Sequence, residues 1–411
     1  DLYRAFAQRN QRLMGVSGQL GIVLPKTAFS AEGLESWRRD LIGNGSLKSV
    51  VSLLNNKQWI FPIHPQYKIC LAVISRSPSD SVEIGGPYAS RDEFESGRGT
   101  LVKLSNSDLL TMTSAVSIPV IRDQKSADIL ATMRQQPNIG VMAGSRVELV
   151  SEFHATNDQE YFSHPKSSSS VPVYSGKSFD VFVPDTGDIF AWATKSKAHA
   201  ELKRRLSNQI KLKSSAFYGL DPVADLGGVL PCERPRIAFR GITNPTNTRT
   251  VICALVPPQT VLTNISPYIL IAPSNEQVEA YLLGIMNSMI FDWYARKFIE
   301  TQMNFHLVRS FPVPDISHNA NASAISRVSA TLSAVDARYT AWAKAVGVPV
   351  GSVKTAEQKE QLLAELDALV AASYGLSQAD VQHIFDTFHR GADYSKRCAT
   401  VRSHLKTMGI K

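Results

Sequence analysis

The chain has 411 residues, of which 44% are hydrophobic and 19% charged. This composition excludes wholesale disorder and fibrous repeats, and the length predicts two or three domains. No stretch approaches the ~20 apolar residues of a spanning helix, which excludes an integral membrane protein, and no basic region precedes an apolar segment as in a secretory signal. The net charge of +8 is compatible with nucleic-acid binding without requiring it.

The first 76 residues alternate between helical and strand-like patterns. The apolar run QLGIVL at 19–24, closed by Pro25, predicts a strand buried on both faces of a parallel sheet. The other predicted elements are a helix at the start of the chain, a helix over 31–41, strands over 47–54 and 68–74, and a loop over 55–64. We expect 1–76 to close a larger sheet whose inner edge they leave open. Since residue 1 is Asp and lies within a helical pattern, we expect the chain to be the C-terminal part of a longer protein.

The middle of the chain has weaker signals. Residues 77–150 show little periodicity and predict a connector, and the tract PKSSSSVP at 165–172 predicts a flexible loop. The segment 195–213 carries seven lysines and arginines against one acid, Glu201. Such a run is either a solvated face or a set of phosphate contacts. The candidates for phosphate contact are Lys203, Arg204 and Arg205.

The second half predicts strands over 236–239 and 251–256, around a loop at 241–248, and a long core-facing helix over 275–299. The last hundred residues are predicted to be helical. Thr355 with Gln358, and Ser377 with Asp380, have the spacing of helix N-terminal caps.

The usual metal and nucleotide signatures are absent from the sequence: it contains no phosphate-binding G-x-x-x-x-G-K-[ST], no G-x-G-x-x-G, no G-x-S-x-G and no H-E-x-x-H. His383 and His389 are six residues apart and would lie on different faces of a helix, so we expect no metal site. The cysteines are far apart and form no C-x-x-C pair, which favours a reduced, cytoplasmic protein without a disulfide framework. They are Cys70, Cys232, Cys253 and Cys398.

Two segments carry a resemblance to a known family. The first is SGQLGIVLP at 17–25, continued by SVVSLLNNKQWIFPIHPQYKICLAVI at 49–74. The second runs from PRIAFR at 235–240, through YLLGIMNS at 281–288, to FPVP at 311–314. In this order they resemble the C-terminal portion of adenine-specific DNA methyltransferases of the restriction-modification and phage-defence type, including type IIG enzymes and the large methylases of BREX and DISARM systems. The ELDALV and YGL segments within 365–376 are similar to the tail of those proteins.

This resemblance implies an α/β fold class: the end of a Rossmann-like methyltransferase sheet over 1–76, then the connector over 77–150. A mixed α+β target-recognition (DNA-binding) domain over 151–316 and a helical C-terminal region over 317–411 follow. The parent would use S-adenosylmethionine. The family's Gly-rich cofactor motif and its Asn-Pro-Pro-aromatic motif do not occur here, since Asn244-Pro245-Thr246 lacks the second proline and the aromatic residue. We therefore expect this chain alone to bind no cofactor and to be inactive alone.

One catalytic-domain residue is carried over from the resemblance. Phe61, followed by Pro62, matches an aromatic-proline pair that in the family packs against the flipped adenine. A base inside a duplex must be extruded before its amino group can react, and stacking holds it outside the helix. Trp59 and Tyr67 are alternatives for this role. The competing interpretation is a loop phenylalanine that plugs the hairpin.

For target recognition, the segment 236–249 offers guanidinium donors and short polar groups of the kind that contact base edges and phosphates. These residues are Arg236, Arg240, Thr243, Asn244, Thr248 and Arg249. The competing interpretation is that the arginines form internal salt bridges. A second polar cluster follows the long helix and consists of Gln302, Asn304, His306 and Arg309.

The sequence therefore predicts recognition of double-stranded DNA, as part of an S-adenosylmethionine-dependent adenine methyltransferase that flips its target base. Two alternatives stay open. The chain could be one half of a split methyltransferase whose catalytic half is its partner. It could also be an assembly module whose helices after Ser317, with Leu362, Leu366 and Leu369 exposed, dock other defence-system subunits.

Overall fold

A computed structural model describes residues 2–65, 67–163, 166–388 and 393–411 of the chain. Within these ranges it contains fourteen α-helices and three β-sheets, so the fold is mixed α/β. The chain divides into two compact units. One comprises 1–135, 296–298 and 306–311, and the other comprises 136–295, 299–305 and 312–411. None of the helices in the described ranges is both long and apolar enough to cross a membrane.

The first unit is built on a five-stranded sheet with the order β1-β3-β2-β4-β5, in which β2 and β4 are parallel and the other neighbours antiparallel. Its strands are β1 (Gln19–Pro25), β2 (Leu47–Leu54), β3 (Lys68–Ser75), β4 (Ser81–Tyr88) and β5 (Val102–Ser105). Its helices are α1 (Leu2–Leu13), α2 (Glu35–Gly43), α3 (Arg91–Gly97), α4 (Asn106–Met112) and α5 (Gln124–Arg134).

The position of β1 corrects the expectation of a parallel strand buried on both faces. β1 is an edge strand and runs antiparallel to β3. Its residues alternate in exposure, and Val23 is 52% exposed. A short apolar run does not distinguish a central strand from an edge strand that packs on one side only. Among the described residues, β1 has no strand partner on its outer side.

The segment 77–150, expected to be a connector, carries two strands of the same sheet and three helices. β4 pairs in parallel with β2, and Val82 and Ile84 are buried. β4 was not predicted from the sequence, because it ends in Gly85-Gly86-Pro87 and both glycine and proline are depleted in strands. The sheet therefore continues past residue 76, and the first unit extends to 135.

The second unit contains two sheets, with the orders β13-β9-β10-β8 and β12-β11-β14-β7-β6. Their strands are β6 (Val141–Met142), β7 (Ser145–Val150), β8 (Phe162–Ser163), β9 (Ser170–Tyr174), β10 (Ala191–Thr194), β11 (Arg236–Phe239), β12 (Cys253–Val256), β13 (Val261–Leu262) and β14 (Tyr268–Ala272). The other α-helices of the described residues, of which α9 lies mostly in the first unit, are α6 (Lys195–Gln209), α7 (Glu276–Asn287), α8 (Met289–Arg296), α9 (Phe305–Ser310), α10 (Ala322–Ser333), α11 (Thr340–Val346), α12 (Ala356–Ser373), α13 (Gln378–Asp386) and α14 (Ser395–Thr407).

Two local predictions differ from the structure. The long helix predicted over 275–299 is interrupted at Ser288, which has an extended backbone. The next helix, α8, begins at Met289, and the Asp367 carboxylate accepts a hydrogen bond from the Met289 N–H at 2.8 Å. Of the loop predicted over 165–172, residue 165 lies outside the described residues and Ser170 already belongs to β9. The capping boxes at Thr355 and Ser377 are confirmed.

The C-terminal helices pack into the second unit rather than standing apart. Gly284 of α7 lies so close to α10 and α12 that a Cβ atom there would come within 2.9 Å of Ile325 and 3.3 Å of Leu366. Leu366 and Leu369 of α12 are buried and Leu362 is partly buried. The alternative of an assembly module required these leucines to be exposed, and the structure contradicts that expectation.

Candidate nucleic-acid interface

Arg236, the first arginine predicted to contact DNA, is buried inside the second unit. Its guanidinium donates to the Glu152 carboxylate at 2.8 Å and to the Thr260 carbonyl at 2.9 Å, and it lies over the Tyr268 ring. Burial raises the pKa of Glu152, and the Arg236 charge opposes that rise. An arginine with these partners supports the core. The structure therefore places Arg236 in an internal salt bridge, as in the competing interpretation, and not at the surface where DNA would bind.

Arg249 and Thr243 are also buried. Arg249 donates to the Asn287 carbonyl at 2.7 Å and lies 3.5 Å from the Asp292 carboxylate. The Thr243 hydroxyl donates to the Thr250 carbonyl at 2.7 Å. Both side chains anchor the ends of the loop between β11 and β12, and neither is placed to reach a nucleic acid.

Arg240 is half-buried and its guanidinium is occupied. It donates to the carbonyls of Gly176 and Phe179 at 2.5 and 3.3 Å, which ties β11 to the loop after β9. A guanidinium that satisfies carbonyls in this way is not free to form the paired hydrogen bonds that recognise guanine.

The tip of the loop remains at the surface. Asn244 is partly exposed and its Oδ1 accepts from the backbone N–H and the hydroxyl of Thr246, both at 2.9 Å, which shapes the turn. Thr248 is exposed. These two candidates are thus accessible, Asn244 with part of its hydrogen-bonding capacity used by the turn.

The structure brings the two predicted polar clusters together through a short antiparallel ladder. The Thr243 N–H donates to the Thr301 carbonyl at 3.1 Å, and the Met303 N–H donates to the Gly241 carbonyl at 2.8 Å. Ile242 and Gln302 lie directly opposite one another between these bonds. We call residues 241–244 and 301–304 the ribbon. Gln302 and Asn304 are exposed on it.

His306 and Arg309 belong to the first unit, whereas the ribbon belongs to the second. The His306 ring lies 3.8 Å from the Glu32 carboxylate, and burial lowers the pKa of the histidine. Arg309 is exposed on α9. The predicted cluster of Gln302, Asn304, His306 and Arg309 is therefore divided between the two units.

The basic segment forms α6, and its three candidate residues have different surroundings. Arg205 is held on the protein by Asp158 at 2.8 Å and by Glu201 at 2.7 Å, and it stacks on the Phe153 ring. Arg204 is 64% exposed and also hydrogen-bonds to Glu201. The hydrogen bond from Arg204, and then the hydrogen bond and charge of Arg205, lower the pKa of Glu201 to about 2. Arg205 is consequently structural, because its donors are engaged inside the protein.

The exposed residues of α6 are basic or neutral, and none of them is acidic. Lys203 is exposed, and Lys197 lies on the same exposed arc, seven residues before Arg204. The sequence-based list of candidates omitted Lys197 although the i, i+7 spacing places it over Arg204. We call this set the α6 basic face. It consists of Lys195, Lys197, Lys203 and Arg204 of α6 and of Lys211 and Lys213 in the segment that follows the helix, all exposed.

Phe61 is 41% exposed, and it lies on a loop whose backbone is hydrogen-bonded to a buried side chain. The buried Asn55 side chain accepts from the backbone N–H groups of Ile60 and Phe61, both at 3.2 Å, and donates to the Phe61 carbonyl at 2.9 Å. The structure does not bury Phe61 as a plug. Of the alternatives, Tyr67 is 61% exposed and Trp59 donates to the Leu54 carbonyl at 2.7 Å.

The Gly-rich cofactor motif that the family resemblance implies does not follow either of the first two strands. β1 runs into Pro25 and Lys26, and β2 runs into Asn55 and Asn56, so neither strand leads into a Gly-rich turn. Within the ranges that the structure describes, no group of three or more His, Cys, Asp and Glu could hold a metal ion. His389 lies outside the described residues.

Comparison with known proteins gives structural similarities at low sequence identity. No protein-family model and no curated protein matches the chain. The type IIL restriction-modification enzyme MmeI in complex with DNA is similar with 12% identity and a TM-score of 0.48, over 95% of this chain and 52% of that one. The type IIG restriction endonuclease BpuSI is similar with 11% identity and a TM-score of 0.31, over 90% of this chain and 49% of that one.

A third similar structure is the ATP-dependent type ISP restriction-modification enzyme LlaBIII bound to DNA. It has 8% identity and a TM-score of 0.33, over 79% of this chain and 25% of that one. The chain thus spans about half the length of the MmeI and BpuSI chains, and a quarter of the LlaBIII chain.

Proposed function

We propose that this chain binds double-stranded DNA as the recognition part of an adenine-specific DNA methyltransferase of the restriction-modification or phage-defence type. The observation that carries the proposal is the α6 basic face. Its lysines project into solvent, whereas the buried arginines of the second unit are neutralised inside it. A surface of this charge contacts phosphates without regard to base sequence.

The family part of the proposal rests on the resemblance of segments 17–74 and 235–314, in that order, to these methyltransferases. In this proposal, the sheet containing β1–β3 is the end of a Rossmann-like catalytic domain, and the second unit holds the recognition domain. S-adenosylmethionine and the catalytic asparagine are supplied from outside the residues described, by another segment or by a second polypeptide. Methyl transfer is a property of that complete system.

Phe61 has a specific role in this proposal. Its half-exposed ring projects from a loop whose backbone is fixed by Asn55. A fixed, accessible aromatic ring is suited to stacking against an extruded adenine, since stacking is worth ~1–3 kcal/mol per base. A ring on a mobile loop would have to be ordered first, which costs free energy.

The test is a fluorescence-anisotropy titration of the full chain onto random-sequence duplex DNA at ~50 and ~200 mM salt. We compare the wild type with a Lys197→Ala/Lys203→Ala double variant. Each phosphate contact contributes about 0.9 to the slope of log affinity against log salt. The double variant should therefore bind more weakly and reduce that slope by about 1.8.

The matched control is Lys406→Ala, which removes the same charge from an exposed position on α14. It should bind DNA as the wild type does. Absence of binding at the lower salt, or a double variant indistinguishable from the control, contradicts the proposal. Co-purification with a methyltransferase catalytic subunit would identify the second polypeptide of a split enzyme.

A further inference from the structure

We infer that the ribbon reads A·T base pairs in the major groove, with Gln302 and Asn304 contacting adenines and Ile242 contacting a thymine methyl group. This inference rests on the proposed function, because it names the part of the DNA that the second unit recognises. The observations behind it are the alternation of the ribbon, the chemistry of its exposed side chains and their spacing.

The ribbon has one buried and one exposed face. Thr243 and Met303 are buried, whereas Ile242, Gln302 and Asn304 are exposed, as is Thr301 at the end of the ribbon. From Ile242 to Thr243 and from Gln302 to Asn304 the exposure follows the period of two of a strand, so we place these three exposed side chains on one face. Ile242 and Gln302 form the closer type of antiparallel pair, because the ladder hydrogen bonds lie on either side of them. A two-stranded ribbon has the width that the major groove admits.

The exposed side chains match one kind of base pair. A carboxamide donates and accepts at once, and it pairs in a bidentate manner with the N6 and N7 atoms of adenine. Neither Gln302 nor Asn304 has a hydrogen-bond partner in the described part of the chain, so both carboxamides can turn toward a base edge. Ile242 is 54% exposed beside them, and an apolar side chain there suits the thymine methyl group.

Guanine recognition is disfavoured at this surface. The side chain that commonly reads guanine is arginine, through a bidentate contact to O6 and N7. The ribbon itself contains no arginine, and Arg240, which precedes it in the chain, already donates to two backbone carbonyls. What the ribbon offers to a groove is therefore amide, hydroxyl and methyl groups.

The spacing of the two amides adds a geometric expectation. Residues two apart on a strand are separated by about 6.7 Å, which is close to twice the ~3.4 Å rise per base pair. When the strand follows the groove, Gln302 and Asn304 address adenines about two base-pair steps apart.

The test is selection of bound sequences from a duplex pool with a randomised core, using the full chain. The wild type should enrich A·T pairs at two positions. Gln302→Ala and Asn304→Ala should each relax the preference at one of them, by about 5- to 150-fold in discrimination. Affinity for unselected duplex should stay within about twofold of the wild type, because these residues hold no phosphate in this scheme.

The control is Gln159→Ala, which removes an exposed carboxamide outside the ribbon and should leave the enriched motif unchanged. An enriched motif made of G·C pairs, or one that survives both ribbon substitutions, overturns the inference. In that case, salt-dependent binding to unselected duplex would still support the proposed function. If the wild type bound no duplex at all, both the inference about the ribbon and the proposed function would be wrong.

Discussion

Arg236 and Glu152 form an ion pair of 2.8 Å in which only 4% of either side chain is exposed. The Glu152 carboxylate also accepts a hydrogen bond from the Leu262 N–H at 2.7 Å. Glu152 lies just after β7, so the pair connects that position with β11 through Arg236 and with β13 through Leu262. Breaking a buried pair by removing one partner leaves a charge without compensation.

We expect Arg236→Ala to lower the free energy of unfolding by about 3–5 kcal/mol, since Glu152 would lose its cation. Urea denaturation followed by tryptophan fluorescence measures this. Adding Glu152→Gln to the variant should restore part of the loss. If the Arg236→Ala protein were as stable as the wild type but no longer bound DNA, Arg236 would be a DNA-contacting residue and this prediction would be wrong.

The Glu279 carboxyl is a second buried acid, and its pKa is raised to about 7 by burial, against the opposing hydrogen bond from the Trp342 indole. An unfolded glutamate titrates near ~4.3. The folded state therefore binds the Glu279 proton more tightly than the unfolded state does. The stability associated with a neutral Glu279 is fully present below about pH 4 and is lost as the pH rises through about 7.

Glu279→Gln keeps an acceptor for Trp342 and removes the titration. We expect its free energy of unfolding to fall less than that of the wild type between about pH 5 and 8, and to exceed it by up to about 3 kcal/mol at the upper end. Urea midpoints across this pH range measure the effect. Glu360→Gln, which removes an exposed acid from α12, is the control and should follow the wild-type profile. Identical pH profiles for Glu279→Gln and the wild type would contradict the prediction.

Asn55 supports the loop that carries Phe61, and its removal leaves two backbone N–H groups and two carbonyls without that partner. We expect Asn55→Ala to destabilise the protein by about 1–3 kcal/mol and to make the loop more sensitive to limited proteolysis. Phe61→Ala should change stability little, because the ring is half-exposed. Equal proteolysis of both variants would show that Asn55 does not order the loop.

Gly284→Ala tests the packing of the C-terminal helices on α7. The added Cβ would lie 2.9 Å from a methyl group of Ile325 and 3.0 Å from Ser329. Overpacking of this kind costs about 1–3 kcal/mol, which outweighs the gain in helix propensity from replacing glycine. Thermal denaturation measures the change. Stabilisation by Gly284→Ala would mean that α10 and α12 do not pack tightly here.

Secondary structure was more predictable from the sequence than tertiary pairing. The strands at 47–54 and 236–239 and both capping boxes are confirmed, because their signals are local. These signals are a short apolar run for each strand, and a side chain three residues from the N–H that it caps for each helix. The edge position of β1 and the parallel partner of β4 depend on segments far away in the chain, which no local pattern specifies.

The candidate site shows the same limit. Arg236 pairs with an acid 84 residues earlier in the sequence, so nothing near Arg236 revealed that its charge is satisfied internally. Arg204 and Glu201 are different, since their i, i+3 spacing is visible in the sequence and predicts the pair. The joining of 241–244 to 301–304 carried no sequence signal, as a ladder this short has too few residues to show a period.

The loop between β11 and β12 is fastened on both sides of its tip. Thr243 bonds to the Thr250 carbonyl on one side, and Arg249 bonds to the Asn287 carbonyl on the other, while 246–248 between them are exposed. Substitutions at 246–248 therefore alter the surface of the loop, while the buried side chains at its two ends keep their contacts. The residues that determine what this loop can touch are thus separate from the residues that determine where the loop lies.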